Sequence, residues 1–177
     1  MFQWSLPAPR VLLISAMSHD RVIGAGIGMP WEVPEEYQHF LDTTRGASLI
    51  LGRRSFEIFG PTLTCARCFV VTRRPEGLAA ANDAAYTVAA MPGVASAIAA
   101  AQQHPADIYV AGGGQIYEQA ISLADGMLLS VIPGDWTGDT YFPQFSRTEW
   151  RTVRQEDRGC YQLTQYERPV PAPPSDG

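Results

Sequence analysis

Short apolar runs alternate with amphipathic stretches along most of the chain. The short apolar runs predict buried strands at residues 11–16, 48–51, 68–72, 85–88, 108–111 and 127–132. Between them, apolar residues recur at helical spacing or follow helix-start signals. These stretches predict helices at 34–44, 53–59, 94–103 and 115–124. Residues 150–155 and 161–166 predict two further strands with no helix between them.

This order of elements predicts an α/β fold in a single domain. Alternating strands and helices favour a mostly parallel central sheet of about eight strands, with helices on both faces. The last two strands predict an antiparallel C-terminal edge. Residues 10–168 form the predicted domain, and residues 1–9 form an N-terminal extension. Residues 169–177 read PVPAPPSDG and predict a disordered proline-rich tail.

Composition excludes several classes of function. All 13 basic residues are arginine, so a Schiff-base lysine and a lysine-containing phosphate loop are both absent. The net charge of -5 argues against general nucleic-acid binding. No apolar run approaches the roughly 20 residues that a membrane span needs. We expect a cytoplasmic monomer with no export signal, no membrane anchor and no nucleic-acid partner.

The three cysteines do not form a metal-binding pattern. Cys65 and Cys68 form a C-x-x-C pair and Cys160 stands alone, so a zinc site lacks its second pair of ligands. We therefore expect no metal site. The pair is interpreted as two reduced cysteines at the entrance of a strand. A redox-active pair is the alternative, although nothing around the pair supports it.

One carboxylate of the helix at 34–44 lies on its apolar side. The apolar stripe of this helix consists of Val33, Tyr37, Phe40 and Leu41. Glu36 lies on this stripe, one turn before Phe40. A carboxylate there is drawn out of water, which raises its pKa and makes it a candidate proton handler. The alternative is a glutamate at a helix start with its head group in solvent, and Glu35 is the second choice for the chemical role.

Three segments predict the walls of a ligand site. The glycine loop 24–28 precedes Met29 and Trp31, and Trp31 is expected either to wall a pocket or to fill the core. The glycine turn 112–114 follows a strand and opens a helix, a context that suits a pyrophosphate. Two strands end in arginine, at Arg53-Arg54-Ser55 and at Arg73-Arg74. Arginine matches phosphate geometry, and no acidic residue follows at once, so the pattern favours NADP(H) over NAD(H). The alternatives are ordinary solvent-exposed arginines and glycines that only serve a tight strand-to-helix turn.

These segments, in this order, resemble dihydrofolate reductase. The resemblance covers about residues 11–168. It rests on VLLISAMSHDRVIG (11–24), GMPWEVPEEYQHF (28–40), LILGRRSFEIFG (49–60), FVVTRR (69–74), YVAGGGQIYEQA (109–120) and GDTYFP (138–143). It implies that NADPH passes a hydride to C6 of 7,8-dihydrofolate while N5 gains a proton, which yields tetrahydrofolate for one-carbon metabolism. The cofactor is NADPH and the partner is the small-molecule substrate.

The resemblance also implies roles for individual residues. Glu36, Met29 and Trp31 are the implied catalytic residues. Glu36 would hold the 2-amino group and N3 of the pterin and promote protonation through water. Residues 24–29 would form a mobile loop over the nicotinamide. The implied substrate-binding residues are Ile14, Ser15, Glu36, Tyr37, Phe40, Phe59, Arg67 and Ser130. The implied cofactor-binding residues are Ala16, Ile23, Gly24, Arg53, Arg54, Ser55, Thr72, Arg73, Gly113, Gly114, Gln115, Ile116, Tyr117 and Thr140. Gly112-Gly113 matches a family position at which the peptide bond is cis.

One position departs from the family pattern. Family members carry an arginine shortly after the helix at 53–59, and it binds the α-carboxylate of the folate glutamate. That position is Ala66 here, and Arg67 follows it. Either the loop shifts by one residue or binding of the tail is weakened, which leaves open a preference for a smaller pterin. Glu36 and the unusual loop 62–67 also suggest reduced sensitivity to trimethoprim.

Two other functions compete with this interpretation. A sister reductase would act on another pterin or on a pyrimidine of the riboflavin pathway, although Glu36 suits the amidine-like edge of a pterin better. A non-catalytic dinucleotide-binding module would keep the glycine turn and the arginines. Such a module has no use for a half-buried acid.

Overall fold

The fold is known from a computed structural model, which describes residues 8–78 and 85–169. The predicted extension and tail lie almost entirely outside these ranges. The main sheet contains eight strands: β1 (Val11–Ser18), β3 (Ser48–Gly52), β4 (Arg67–Val71), β5 (Thr87–Met91), β6 (Ile108–Val110), β7 (Gly126–Ile132), β9 (Arg151–Asp157) and β10 (Gln162–Glu167). Two short strands, β2 (Val22–Gly24) and β8 (Thr140–Tyr141), pair separately.

The sheet has the predicted mixture of directions. Its order is β5-β4-β3-β6-β1-β7-β10-β9. The first six strands in this order pair in parallel, and β10 pairs antiparallel with both β7 and β9. The mostly parallel sheet and its antiparallel C-terminal edge confirm the prediction.

Within the described residues, four α-helices cover the two faces of the sheet, as predicted: α1 (Pro34–Thr44), α2 (Arg53–Phe59), α3 (Val94–Ala101) and α4 (Gly114–Ala120). Residues of α3 and α4 pack with Leu13, Ile50 and Val110 in one apolar cluster. Phe40 of α1 and Phe56 of α2 pack with other strand residues in a second cluster. Successive strand residues point to opposite faces, so the two clusters lie on opposite sides of the sheet.

Several predicted boundaries shift by a few residues. The helix expected at 94–103 ends at Ala101, and the helix expected at 115–124 gives way after Ala120 to a 3-10 turn at Ile121–Leu123. β5 begins at Thr87 rather than at residue 85. Strands β2 and β8 are additions, because pieces of three and two residues carry no detectable periodicity.

The strand order places a cleft at the carboxyl end of β1. From β1 the chain crosses to β3 through α1, and from β6 it crosses in the other direction to β7 through α4. These crossovers lie on opposite faces, so the adjacent ends of β1 and β6 are left uncovered between them. Open α/β sheets bind their ligands at such a point.

Candidate active site

A cavity at this point contains most of the predicted substrate-binding residues. It encloses about 670 Å³ of atom-free space, part of which is open to solvent. Its walls are mostly apolar and come from β1, α1, α2 and the glycine turn before α4. The lining residues are Ile14, Ser15, Ala16, Ile23, Met29, Glu36, Tyr37, Phe40, Leu51, Phe59, Leu63, Ala111, Gly113 and Tyr117.

Glu36 is the one charged residue among these lining residues. Only 5% of its surface is exposed. Burial raises the pKa of the Glu36 carboxyl above its usual range, and the neighbouring Ser130 hydroxyl acts in the opposite direction. The cavity therefore holds a desolvated carboxyl group with one polar protein partner, a state in which it can exchange a proton or accept hydrogen bonds from a ligand.

The start of α1 fixes the position of this carboxyl group. Pro34 occupies the first turn, where a missing N–H costs nothing. The backbone N–H groups of Glu36 and Tyr37 both donate to the carbonyl of Val33 at 3.1 Å. Ser130 lies on β7 directly beside Ala16 of β1, so the partner of Glu36 is held by the centre of the sheet.

The glycine turn before α4 forms the part of the cavity wall next to Tyr117. The Gly112–Gly113 peptide bond is cis. Gly112 has φ +101°, and a Cβ there would lie 3.1 Å from the Tyr117 ring, so only glycine fits. The Tyr117 hydroxyl donates to the Ile14 carbonyl at 2.6 Å. Burial raises the pKa of Tyr117, which keeps this hydroxyl a donor at neutral pH.

Several predicted cofactor-binding residues converge at glycines on the same edge of the cleft. A Cβ at Gly113 would lie 3.7 Å from the Ser55 hydroxyl oxygen. Cβ atoms at Gly24 and Gly114 would lie 3.3 Å and 3.1 Å from side-chain carbons of Thr140. The absence of side chains at Gly24 and Gly114 therefore lets the glycine loop and the start of α4 pack closely against Thr140.

The predicted arginines lie farther out and are hydrogen-bonded to the protein. Arg53 donates to Glu57 at 2.8 Å and to the Arg74 carbonyl at 2.6 Å. The Thr72 hydroxyl accepts from the backbone N–H of Arg74 at 3.0 Å. Arg54 reaches across to the carbonyl of Gly26 in the glycine loop at 2.6 Å. Arg53, Thr72 and Arg74 therefore share one corner of the cleft.

The loop over the cleft is also fixed from the opposite side. The backbone N–H of Gly26 donates to the Asp139 carboxylate at 3.2 Å, and the N–H of Asp139 donates to the Gly24 carbonyl at 3.0 Å. A Cβ at Gly138 would lie 2.2 Å from that same carbonyl oxygen. The segment around Asp139 therefore lies against the loop main chain.

Trp31 is not among the lining residues. It packs in a third apolar cluster with Ile132, Tyr161 and Leu163, and its ring meets that of Trp136 edge-on at 5.7 Å between centroids. Of the two expectations for this residue, the structure supports core packing. Its indole Nε1 is buried and has no hydrogen-bond partner within residues 8–78 and 85–169.

Arg67, for which the resemblance implies a substrate-binding role, is not among the residues that line the cavity. Cys68 and Val70 of β4 pack in the same cluster as the cavity-lining residues Phe40 and Phe59. Phe69, which lies between them in sequence, packs in the cluster under α3 and α4 on the other face of the sheet. Arg67 shares the face of Phe69. The spacing shows that adjacent residues face opposite ways but not which of them faces the cavity.

The other predicted cofactor-binding residues differ in accessibility. Arg73 and Gln115 are exposed, Gln115 in the first turn of α4. Ile116 is buried in the core under the glycine turn, so its side chain supports the site from below.

Three lining residues were missed by the sequence reasoning: Leu51, Leu63 and Ala111. Leu51 and Ala111 end apolar runs at the carboxyl ends of strands, which was a usable signal. Leu63 is an isolated apolar residue after Gly60-Pro61, in a segment without regular structure, and no pattern marked it.

Two further classes of feature are absent from the described residues. No helix within 8–78 or 85–169 is both long and apolar enough to cross a membrane. The same ranges contain no group of three or more His, Cys, Asp or Glu side chains able to hold a metal ion. All three cysteines carry free thiols; Cys65 is buried just before β4, and Cys68 is buried within it.

Comparisons with known sequences agree on one family. A sequence model of dihydrofolate reductase matches residues 10–168. The dihydrofolate reductase HdrB of Haloferax volcanii is 32% identical over 93% of this chain and 87% of its own length. The dihydrofolate reductase type 3 of Salmonella typhimurium is 32% identical over 85% of this chain and 92% of its own length.

A solved structure has the same fold. It is dihydrofolate reductase from Enterococcus faecalis, complexed with NADP(H) and RAB-propyl. The superposition has a TM-score of 0.76 and covers 91% of this chain and 97% of the other, at 24% sequence identity.

Proposed function

The chain belongs to the dihydrofolate reductase family, and we propose that Glu36 is the residue through which it carries out the family's reaction. That reaction is the NADPH-dependent reduction of 7,8-dihydrofolate to 5,6,7,8-tetrahydrofolate, so the protein is an oxidoreductase. The observation that carries the proposal is the burial of a single carboxyl group in an otherwise apolar cavity beside the glycine turn.

The donor set at the cleft suits NADPH. Gly113 and Gly114 lie directly before and at the start of α4, a context that suits a pyrophosphate. Arg53 and Thr72 would hold the phosphorylated adenosine end, and Ser55 and Thr140 would contact the middle of the molecule. When bound, NADPH supplies the hydride that reaches C6 of the pterin.

Glu36 binds and orients the pterin. A carboxylate has two acceptor oxygens, and these match the two donors at the 2-amino group and N3 of the heterocycle. Because the surroundings are apolar, both hydrogen bonds form without competition from water. The raised pKa of this carboxyl group also lets it hold a proton closer to neutral pH, so it promotes protonation at N5 through water.

The remaining groups hold the rings in place. Ile14, Phe40 and Phe59 supply apolar walls, and Ser130 fixes the orientation of the Glu36 carboxyl group. Met29 and the loop before it close the cavity on the nicotinamide side and exclude water. Trp31 belongs to the cluster against which the lining residues Ala16 and Met29 pack. Its buried Nε1 has no hydrogen-bond partner in the described part of the chain, which suits a water molecule that links protein and pterin.

The test compares two neighbouring glutamates. Glu36→Gln removes the buried charge, and Glu35→Gln removes an exposed one from the same helical turn. With saturating NADPH and dihydrofolate at pH 7, we expect kcat to fall by a factor of roughly 10² or more in Glu36→Gln and by less than about twofold in Glu35→Gln. NADPH binding, followed by fluorescence, should be nearly unchanged in both. Equal turnover in the two variants would remove Glu36 from the mechanism.

Three further properties belong to the same proposal. We expect a monomer, which light scattering on the purified chain would test. We expect a cytoplasmic location, consistent with three free thiols in a compartment that keeps cysteines reduced. We also expect weaker inhibition by trimethoprim than in members with aspartate at this position, and Glu36→Asp should increase the sensitivity.

A further inference from the structure

The cavity offers no positive charge to the far end of the substrate. Dihydrofolate ends in a glutamate with two carboxylates, beyond the pterin and the aromatic ring. The chain has no lysine, and no arginine is among the residues that line the cavity in the described part of the chain. Arg67, the nearest candidate in sequence, faces the opposite side of the sheet. An anionic arm therefore meets no counter-charge along these walls.

The rim of the cavity is bridged by two hydroxyl groups. Tyr37 of α1 is hydrogen-bonded to Thr62 of the 3-10 turn at Gly60–Thr62. The Thr62 hydroxyl donates its own hydrogen to the Phe59 carbonyl at 3.0 Å, so the hydrogen between the two hydroxyl groups belongs to Tyr37. Thr62 is exposed, which places the bridge at the solvent edge, between the walls formed by α1 and by the α2 segment.

Aromatic rings continue this rim inward. The Tyr37 ring stacks on Phe40 with 5.9 Å between centroids and 18° between planes, and it lies 5.9 Å from the Phe59 ring. Aromatic side chains at this rim can pack against an apolar ring of the substrate, but they form no ion pair with a charged group. Neighbouring Leu63 adds another apolar contact at the same wall.

We propose that this site recognises its substrate by the pterin head alone, and that the Tyr37–Thr62 bridge determines how the arm attached to C6 is received. This inference rests on the proposed function, because it takes Glu36 as the pterin anchor. An arm as long as that of dihydrofolate has to displace or bypass the bridge and finds no ion pair in return. Dihydropterins with a shorter or less charged arm should then have kcat/KM values similar to that of dihydrofolate.

Three substrates separate the parts of the arm: dihydrofolate, dihydropteroate, which lacks the glutamate, and 6-methyl-7,8-dihydropterin, which lacks the whole arm. With saturating NADPH, we expect kcat/KM for dihydropteroate to lie within about threefold of the value for dihydrofolate, at low and at high salt. An advantage of tenfold or more for dihydrofolate that disappears at high salt would overturn the proposal, because a charge-assisted contact is worth about that much.

Two variants at one position test the bridge. Thr62→Val removes the hydroxyl group and keeps the shape, whereas Thr62→Ser keeps the hydroxyl group. We expect Thr62→Val to raise kcat/KM for dihydrofolate by about threefold and to leave 6-methyl-7,8-dihydropterin unchanged, with Thr62→Ser equal to the parent. A loss of activity on both substrates in Thr62→Val, or no gain on dihydrofolate, would overturn the selective role of the bridge.

The same assay distinguishes this inference from the proposed function. If the parent protein reduces none of the three substrates, the proposed function fails. If it reduces dihydrofolate and discriminates strongly against dihydropteroate, the proposed function stands and the inference on the arm fails.

Discussion

The two ends of the cleft hold their polar groups in opposite ways. At the pterin end, one carboxyl group is buried among apolar walls and has Ser130 as its polar partner. At the cofactor end, the arginines lie near the surface and are hydrogen-bonded to Glu57 and to main-chain carbonyls. A desolvated charge interacts strongly and at short range, whereas exposed charges are screened by solvent and salt.

The buried end of the cleft is therefore suited to the chemical step, and the end with the arginines is suited to ligand affinity. The buried carboxyl group has a perturbed pKa and a fixed orientation, which suit binding and protonating one heterocycle. Under the proposed function, the arginines near the surface attract and select phosphorylated ligands, and each contributes modestly to binding. Changes at the buried end and in its supporting turn should therefore have the larger effects.

The largest expected effect comes from the turn that joins the two ends. In Gly112→Ala the new Cβ meets the Tyr117 ring at 3.1 Å on a backbone with φ +101°. We expect the free energy of unfolding to fall by about 2–4 kcal/mol, measured by urea denaturation, with a parallel loss of turnover. Gly159→Ala is the matched control, since Gly159 also has positive φ (+80°) but open space around it. It should cost only about 1 kcal/mol, and an equal cost in both variants would exclude the Tyr117 contact as the cause.

A smaller effect is expected at the cofactor end. Arg53→Ala removes the guanidinium beside Arg74 at the corner of the cleft. We expect the preference for NADPH over NADH, measured as the ratio of kcat/KM values at low salt, to narrow about tenfold. The difference in cofactor preference between the parent protein and Arg53→Ala should shrink as salt is added, because salt screens charges near the surface. Arg151→Ala, on the edge strand β9, is the control. An unchanged cofactor preference in Arg53→Ala would assign 2′-phosphate recognition to other residues.

The smallest expected effect is at Arg67. Its side chain lies on the face of the sheet opposite the cavity, so Arg67→Ala should change KM for dihydrofolate by less than about twofold. Steady-state kinetics at low salt provide the most sensitive check. A rise in KM of tenfold or more would show that this arginine does reach the substrate, and it would return Arg67 to the site.

Much of this architecture is readable from local pattern. The buried strands are apolar runs, and the helical phase of α1 places Glu36 on the apolar side, where the structure buries it. The glycine turn precedes a helix as its composition indicates. Each of these features depends on neighbours within a few residues, which is the range over which periodicity carries information.

The features that the sequence did not reveal depend on long-range packing. The side of the sheet that Arg67 faces is set by how β4 pairs with β3 and β5, and alternation alone leaves both choices open. The Tyr37–Thr62 bridge joins residues 25 positions apart across a cleft. Trp31 illustrates the same limit, since whether it lined the site or filled the core depended on Tyr161 and Leu163 near the other end of the chain.

The central claim is that burial keeps the Glu36 carboxyl group protonated to a higher pH than an ordinary glutamate. The most direct measurement is its titration by carbon NMR of labelled glutamate side chains, with the signal assigned by its disappearance in Glu36→Gln. Because the neutral form is favoured in the apolar cavity, the midpoint should lie above 4.5, the ordinary value for a glutamate. A midpoint at or below 4.5 would contradict the account, since the carboxyl group would then be as well solvated as one at the surface.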